Sequence, residues 1–315
     1  MPSVRSYLKV NYSLRPSKHV ERKMLVESFR RLRHIDALEN YRYVGFGSPF
    51  FSDFSLIHKQ LNISDCISIE HDNEDKPRFL HNSPFRGVTL AFGEAIEILP
   101  ELDWTPRTIL WLDYDEKLSD EVLVDVRTFF LNAVSGSVII ITLDAEPVEL
   151  DKRVQEFAKN LAAAKVPRDL TNARLGEWGT AEASFRVVNN EIREVLQLRN
   201  LGQSRGQEFV YEQLYNFQYA DGHKMASFGG ILYEAQHEDL IRECAFGSLP
   251  FIRPAGMEAL RIEVPSLTLK EMRMLDRFLP GNYPDDANLE GVPPEDAQKY
   301  AGLYRYFPSF VDADF

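Results

Sequence analysis

Four short segments of this chain, taken in order, limit its fold more than any other feature: GFGSPF at 45–50, SIEHD at 68–72, FGEAIEILPEL at 92–102 and ILWLDYD at 109–115. Each closes an apolar, β-branched run, and each carries glycine or carboxylate residues where the run ends. Short apolar runs bounded by turn residues read as strands. In an open, mostly parallel α/β sheet, ligands bind in the crevice outside the carboxyl ends of the strands. Four successive strand ends of this kind predict one continuous crevice.

The rest of the pattern agrees. Segment 17–38 places Val20, Met24, Leu25, Phe29, Leu32 and Leu38 near helical spacing, with Ser17 as the expected N-cap and Glu21 close to the N-terminal dipole. Strands are expected at about 41–45, 65–70, 88–92, 108–113 and 137–143, with helices over about 50–61, 95–102 and 118–134. The fifth strand, SVIIITL, is a near-continuous apolar run, as a strand covered on both faces requires. Such alternation argues for a parallel sheet with right-handed crossovers.

Residues 145–206 depart from it, being charged and helical in pattern, and are expected as an insertion over the crevice. Two aromatic-rich strands follow within 209–233, joined at Asp221-Gly222, a hairpin signal. A strand near 260–264 leads to a helix whose start, Thr268-Leu-Lys-Glu271, matches a capping box. The expected fold is therefore α/β: a doubly wound, mostly parallel sheet with a C-terminal antiparallel hairpin and a helical insertion. In domain terms the chain reads as a basic helical arm (1–40), a nucleoside-cofactor core (41–145), the insertion (146–206), the hairpin and remaining core (207–280) and an acidic irregular tail (281–315). The tail's aromatic residues Tyr300, Tyr304, Tyr306 and Phe307 are expected to dock on the body.

Composition narrows the function. No apolar run approaches the roughly 20 residues that span a bilayer, and charges interrupt the N-terminus where a secretory signal would be apolar. The two cysteines, Cys66 and Cys244, read as thiols of a cytoplasmic protein, and no metal-ligand spacing argues for zinc. A net charge of −12 opposes bulk adhesion to nucleic acid. It is uneven, however: residues 1–40 carry nine Lys or Arg against four Asp or Glu. That arm, with Tyr12, Arg15 and Lys18, suits a negatively charged group on a small substrate; a solvated arginine-rich helix face is the equal alternative.

Each strand end has a chemical reading and a plainer one. Gly45, Gly47 and Ser48 supply a turn that lets a ligand approach the backbone, although Gly-x-Gly also occurs in ordinary turns. Phe50 stands where a dinucleotide fingerprint needs its third glycine, which argues against a pyrophosphate. Glu70 lies 23 residues beyond Gly47, a separation that suits a carboxylate accepting from both ribose hydroxyls. His71 and Asp72 are alternatives if the register shifts, and an exposed strand-end acid is the plain reading. Gly93, Glu94 and Ala95 offer a backbone N–H and small side chains beside a base, or simply a helix start. Asp113, Tyr114 and Asp115 could bind an amine or orient a nucleophile at the mouth of the crevice, with Asp144 near. Asp113 as a helix cap is the plainer role. His223, at the hairpin tip, is a candidate general base, although a histidine at a loop tip is more often idle.

Together these residues resemble class I S-adenosylmethionine (SAM)-dependent methyltransferases, and Tyr43–Asp144 looks closest to small-molecule O-methyltransferases. GEAIEILPEL followed by ILWLDYD is the most specific part. The resemblance implies SAM as cofactor, with Gly45, Gly47 and Ser48 against its methionine part, Glu70 on the ribose and Gly93, Glu94 and Ala95 along the adenine. It implies methylation, by preference at oxygen, of a small or medium-sized acceptor; Asp113, Tyr114 and His223, read from their own positions, are the candidate catalytic residues. Metal-dependent relatives place an asparagine beside the fifth-strand acid, but Ala145 follows Asp144, so no metal is expected. The acid that often precedes the glycine loop is absent, since Tyr43 and Val44 stand there. An idle methyltransferase-like partner or sensor module is therefore an alternative, and a nucleic-acid methyltransferase a lesser one. A homodimer or a protein partner stays open.

Overall fold

The apolar runs do become strands, and they set one sheet. A computed structural model describes residues 15–71, 75–281, 283 and 288–308. Its strands are β1 (Arg42–Gly45), β2 (Asp65–Glu70), β3 (Val88–Phe92), β4 (Thr108–Asp113), β5 (Ser137–Asp144), β6 (Phe209–Ala220), β7 (Lys224–Glu234) and β8 (Leu260–Ile262). They form one sheet in the order β3-β2-β1-β4-β5-β7-β6-β8. The first five are parallel, β7 runs antiparallel to both β5 and β6, and β8 is parallel to β6.

The helices are α1 (Pro16–Phe29), α2 (Ser52–Leu61), α3 (Lys76–Asn82), α4 (Ala95–Ile98), α5 (Asp120–Asn132), α6 (Arg153–Ala158), α7 (Gly179–Arg199), α8 (Glu238–Glu243), α9 (Leu269–Leu275) and α10 (Pro294–Leu303). Alternate residues of each strand serve opposite faces, so the sheet separates two cores. Tyr43, Ile109, Trp111 and Ile140 pack with α1 and α2. Val44, Leu110, Leu112, Ile139 and Ile141 pack with α5 and α7. Burial on both faces is why β4 and β5 read as unbroken apolar runs.

Three expectations change. Pro16 occupies the first turn of α1, so Arg15 rather than Ser17 is its N-cap residue, and no side chain of its own caps it. The cap comes from the hairpin tip instead: Asp221 accepts from the backbone N–H of Ser17 and of Lys18, at 3.0 Å each. Within 146–206, α7 is no cover over the crevice. Its apolar face (Val187, Val188, Ile192, Val195) lies in the core it shares with α5, making it a full member of the helical layer. The stretch after 281, expected to be irregular, contains α10, whose Tyr300 donates to Asp276 at 2.8 Å. Docking of Tyr306 against Phe251 at 5.6 Å fits the expected role of the tail aromatics. Among the described residues, no helix is long and apolar enough to cross a membrane.

Candidate active site

Strand register builds the site. Gly45 pairs with Ser68 on one side and with Trp111 on the other. Two residues further along, Glu70, Gly47 and Asp113 therefore stand level across three neighbouring strand ends. With strands about 4.8 Å apart, the ends bearing the two carboxylates lie roughly 10 Å apart, the glycine turn between them. Chain order reverses at this point, since β2 and β3 extend to one side of β1 and β4 and β5 to the other. Such a switch point is where doubly wound sheets open a ligand crevice.

Gly47 is held where only glycine fits. A Cβ there would lie 2.4 Å from Ser68 Oγ and 2.7 Å from Glu70 Oε1. The Gly47 N–H donates to Glu70 Oε1 at 3.1 Å, and the Ser68 hydroxyl donates to the same oxygen at 2.6 Å. Oε2 takes part in neither bond. Glu70 is 5% exposed, and burial pushes its carboxyl up to about 7 although both hydrogen bonds pull it down. Ser48 and Phe51 adopt positive φ of 51° and 46° as the chain turns into α2. On the far side of Glu70, the Gly93 N–H donates to the Glu70 carbonyl at 3.0 Å. Glu94 is the exposed N-cap residue of α4, and Ala95 is buried. His71 is exposed. Asp72 and Tyr12 lie outside the described residues.

At the other end of the row, Asp113 keeps 15% of its side chain exposed and receives Lys18 Nζ at 2.7 Å. Lys18 was expected to meet substrate; instead it is fully buried. Its ammonium has three donors and three oxygens around it: Asp113 Oδ1, Glu21 Oε2 at 2.9 Å and the Tyr219 hydroxyl at 3.1 Å. The same ammonium sits 4.5 Å from the centroid of the Trp111 ring. Burial opposes the charge, but Asp113, then Glu21 and Tyr219, hold its pKa above the usual lysine range. No donor is left for a substrate. Arg15 lies at the N-cap of α1, half-buried, and Asp115 is exposed in the loop after β4.

Tyr114 also differs from expectation as a catalytic phenol. It turns toward α5, where its hydroxyl donates to Asp125, while its ring meets Phe46 edge-on at 5.1 Å. Burial beside that carboxylate raises the phenol well above its usual range. His223, by contrast, is half-exposed and meets a carboxylate: its Nε2 lies 2.8 Å from Asp144 Oδ1. Lys117 Nζ holds the other oxygen of Asp144 at 2.9 Å, and the Glu146 N–H donates to Oδ1 at 2.6 Å. Asp144 ends the strand beside β4, so the pair borders the crevice next to Asp113. Among the described residues, no group of three or more His, Cys, Asp or Glu side chains is arranged to hold a metal.

Sequence reasoning missed Glu21, Arg22 and Asp53. Arg22 Nε pairs with Asp53 Oδ1 in the first turn of α2, both nearly buried. The signal was present. Residues 18, 21, 22, 25 and 29 recur at helical spacing, so charged residues share the stripe of Leu25 and Phe29 and had to be buried with them.

The strand order and the glycine turn between two carboxylate-bearing strand ends define a Rossmann-like sheet with a ligand crevice at its switch point. The family model described as "Putative O-methyltransferase" matches residues 10–315, and the chain belongs to that family. No curated protein matches the sequence. Among solved structures it is similar to the fibrillarin pre-rRNA processing protein of Methanococcus jannaschii, at 10% identity, covering 61% of this chain and 66% of that one with a TM-score of 0.37. It is also similar to SAM-bound CalS10 of Micromonospora echinaspora, an amino pentose methyltransferase, at 16% identity, covering 43% and 52% with a TM-score of 0.30. The match spans less than two thirds of either structure, and likenesses this distant bear no weight on function.

Proposed function

We propose that the chain methylates a hydroxyl group of a small acceptor, with SAM bound across the Glu70–Gly47–Asp113 row. The observation that carries this reading is the glycine cradle: Gly47 presses on Glu70 so closely that a Cβ would displace the acid. The donor set suits the cofactor. Glu70 Oε2 would accept from the ribose hydroxyls, Gly93, Glu94 and Ala95 would border the adenine, and Gly45, Gly47 and Ser48 would lie along the methionine part. Once bound, SAM supplies an electrophilic methyl group on a sulfonium sulfur. The protein's work is then to align and to deprotonate. Alignment alone is worth about 7–11 kcal/mol in well-oriented models.

An oxygen acceptor must lose its proton, and in this reading His223 takes it. Donating from Nε2 to Asp144, the imidazole keeps Nδ1 as its free acceptor. Asp144, fixed by Lys117 and the Glu146 N–H, orients the ring and stabilises the imidazolium formed. His223→Ala is expected to lower turnover by about 10²–10⁴-fold while leaving S-adenosylhomocysteine affinity within twofold. The test is transfer of labelled methyl groups from SAM to a panel of phenols, catechols and hydroxy acids, read for parent and variant. Parent-level turnover in His223→Ala would remove the base. An absence of any binding of SAM or S-adenosylhomocysteine by the parent would remove the whole reading.

A further inference from the structure

The sheet ends at β3, on the far side of β2 from Gly47 and Asp113. The seven-residue helix α3 leaves that strand partly uncovered. A groove of about 580 Å³ remains, lined by Val88, Leu90 and Phe92 of β3 and by Lys76, Leu80 and Arg86. The three β3 side chains are only half-buried, and Leu80 is 56% exposed. Sheet edges are commonly blunted by charge, proline or a bulge. The run Val88–Phe92 contains neither charge nor proline, and it pairs with β2 in unbroken register.

The backbone of the same residues faces outward. In a parallel ladder a residue turns its N–H and C=O to one neighbour, and the next residue turns both away. The Cys66 N–H donates to the Gly87 carbonyl at 3.1 Å, and the Gly93 N–H donates to the Glu70 carbonyl at 3.0 Å. Gly87 and Gly93 therefore face β2, as do Thr89 and Ala91 between them. Val88, Leu90 and Phe92 point the other way, and among the described residues β2 is the only strand beside β3. The Val88 N–H donates to the Phe85 carbonyl at 3.3 Å, whereas those of Leu90 and Phe92 point off the edge. The charge of the groove has one sign. Lys76 Nζ lies 4.7 Å from the centroid of the Phe92 ring, and Arg86 precedes the start of β3. The two exposed cations thus stand at opposite ends of a groove about 13 Å long, at roughly 3.3 Å per strand residue. Among its described lining residues none is acidic.

We infer that β3 accepts a further strand: an extended segment of a partner protein that lays alternate apolar side chains in this groove and carries a carboxylate at each end for Lys76 and Arg86. Main-chain hydrogen bonds to an exposed edge hold such a segment, and side-chain pockets along the edge select it. A second copy of this chain fits less well. Paired antiparallel about Leu90, it would turn the Lys76 end of one groove toward Arg86 of the other, like charge on like.

The probe is an N-acetylated, C-amidated, fluorescently labelled peptide, Glu-Thr-Val-Thr-Leu-Thr-Val-Thr-Glu, with a twin carrying lysine at both ends. Its alternation sets valine and leucine over the groove with glutamate at either end. Titration against the full chain should show saturable binding of the glutamate peptide and about tenfold weaker binding of the lysine twin. The double variant Lys76→Glu, Arg86→Glu alters only exposed side chains and should reverse that preference. N-methylating the glutamate peptide at its valines and leucine removes the N–H groups that meet β3, and should abolish binding. Hydrogen exchange should slow at the Leu90 and Phe92 amides and stay unchanged at Thr89 and Ala91, which already face β2. Equal affinity for the two peptides, full binding of the N-methylated one, or no binding of the glutamate peptide by about 1 mM would overturn the proposal. A dimeric parent with the Leu90 and Phe92 amides already protected would overturn it too, giving the edge to a second copy.

Discussion

Glu70 is buried at the end of β2, where one of its carboxylate oxygens accepts from both the Gly47 N–H and the Ser68 hydroxyl. Its place at the end of β2, 23 residues after Gly47, was legible because strand period and turn length fix that spacing. Its burial was not, since a strand-end acid can equally face solvent. Burial has a measurable consequence. Burial pushes the Glu70 carboxyl up to about 7 from its usual 4.5. Between those values the folded chain binds the extra proton, so this group's contribution to stability falls as pH rises from about 4.5 to 7 and is level beyond. Glu70→Gln, which can still accept from Ser68 and Gly47, should be more stable than the parent at pH 8, by on the order of 2 kcal/mol, and no more stable at pH 4. Ribose hydroxyls donating to Glu70 favour the ionised form, so S-adenosylhomocysteine affinity should rise by up to about tenfold between pH 6 and 8 in the parent and stay flat in the variant. Calorimetry across that range decides it; a flat parent profile would detach Glu70 from the ribose. Lys18 and Tyr114 were misread for one reason: a polar side chain at a strand or helix end does not declare from sequence which neighbour will saturate it.

At the scale of elements, strands were the most legible and helix ends the least. The bounds expected for β2, β3 and β4 match those observed, because turn residues bracket short apolar runs. The Thr268–Glu271 capping box is present with both of its hydrogen bonds, being wholly local in sequence. The cap of α1 could not be found in this way, since its donor and acceptor lie 204 residues apart. Helix α10 was hidden by the prolines and acids around it, though Pro at its first turn is a normal helix start. Asp221 joins the hairpin tip to α1 through two charge-assisted hydrogen bonds at the positive end of a helix dipole. Asp221→Ala should therefore destabilise the chain by about 1–2 kcal/mol, and Asp221→Asn by less. Urea unfolding of the three proteins measures this. Equal midpoints would show that the cap contributes nothing to holding α1 on the sheet.

The whole molecule depends on β7, the strand at which a parallel sheet becomes antiparallel. Of its pairing, only the hairpin with β6 was legible from Asp221-Gly222; the place of β7 between β5 and β6 was not, because long-range pairing leaves little local trace. One trace is Phe228-Gly229-Gly230, a pair of glycines inside a strand that is otherwise apolar. Glycine there weakens a strand unless a neighbouring backbone comes too close for a side chain, and both neighbours do. A Cβ on Gly229 would lie 2.1 Å from the Ile139 carbonyl oxygen of β5, and one on Gly230 would lie 2.1 Å from that of Glu212 in β6. The β6 register shifts just beyond, between Gln213 and Tyr215. These contacts are with backbone, so relief requires a strand to move rather than a side chain to turn. Gly229→Ala and Gly230→Ala should each cost about 1–3 kcal/mol, the range for forcing extra volume into a packed interior. The effect on function should differ between them. Gly229 adjoins β5, which carries Asp144, so displacement there should lower methyl transfer beyond its effect on stability; Gly230 faces β6, away from the crevice strands, and should lower stability alone. Thermal melts with turnover measured well below each Tm would separate the two, and equal turnover losses would show that the sheet moves as one body.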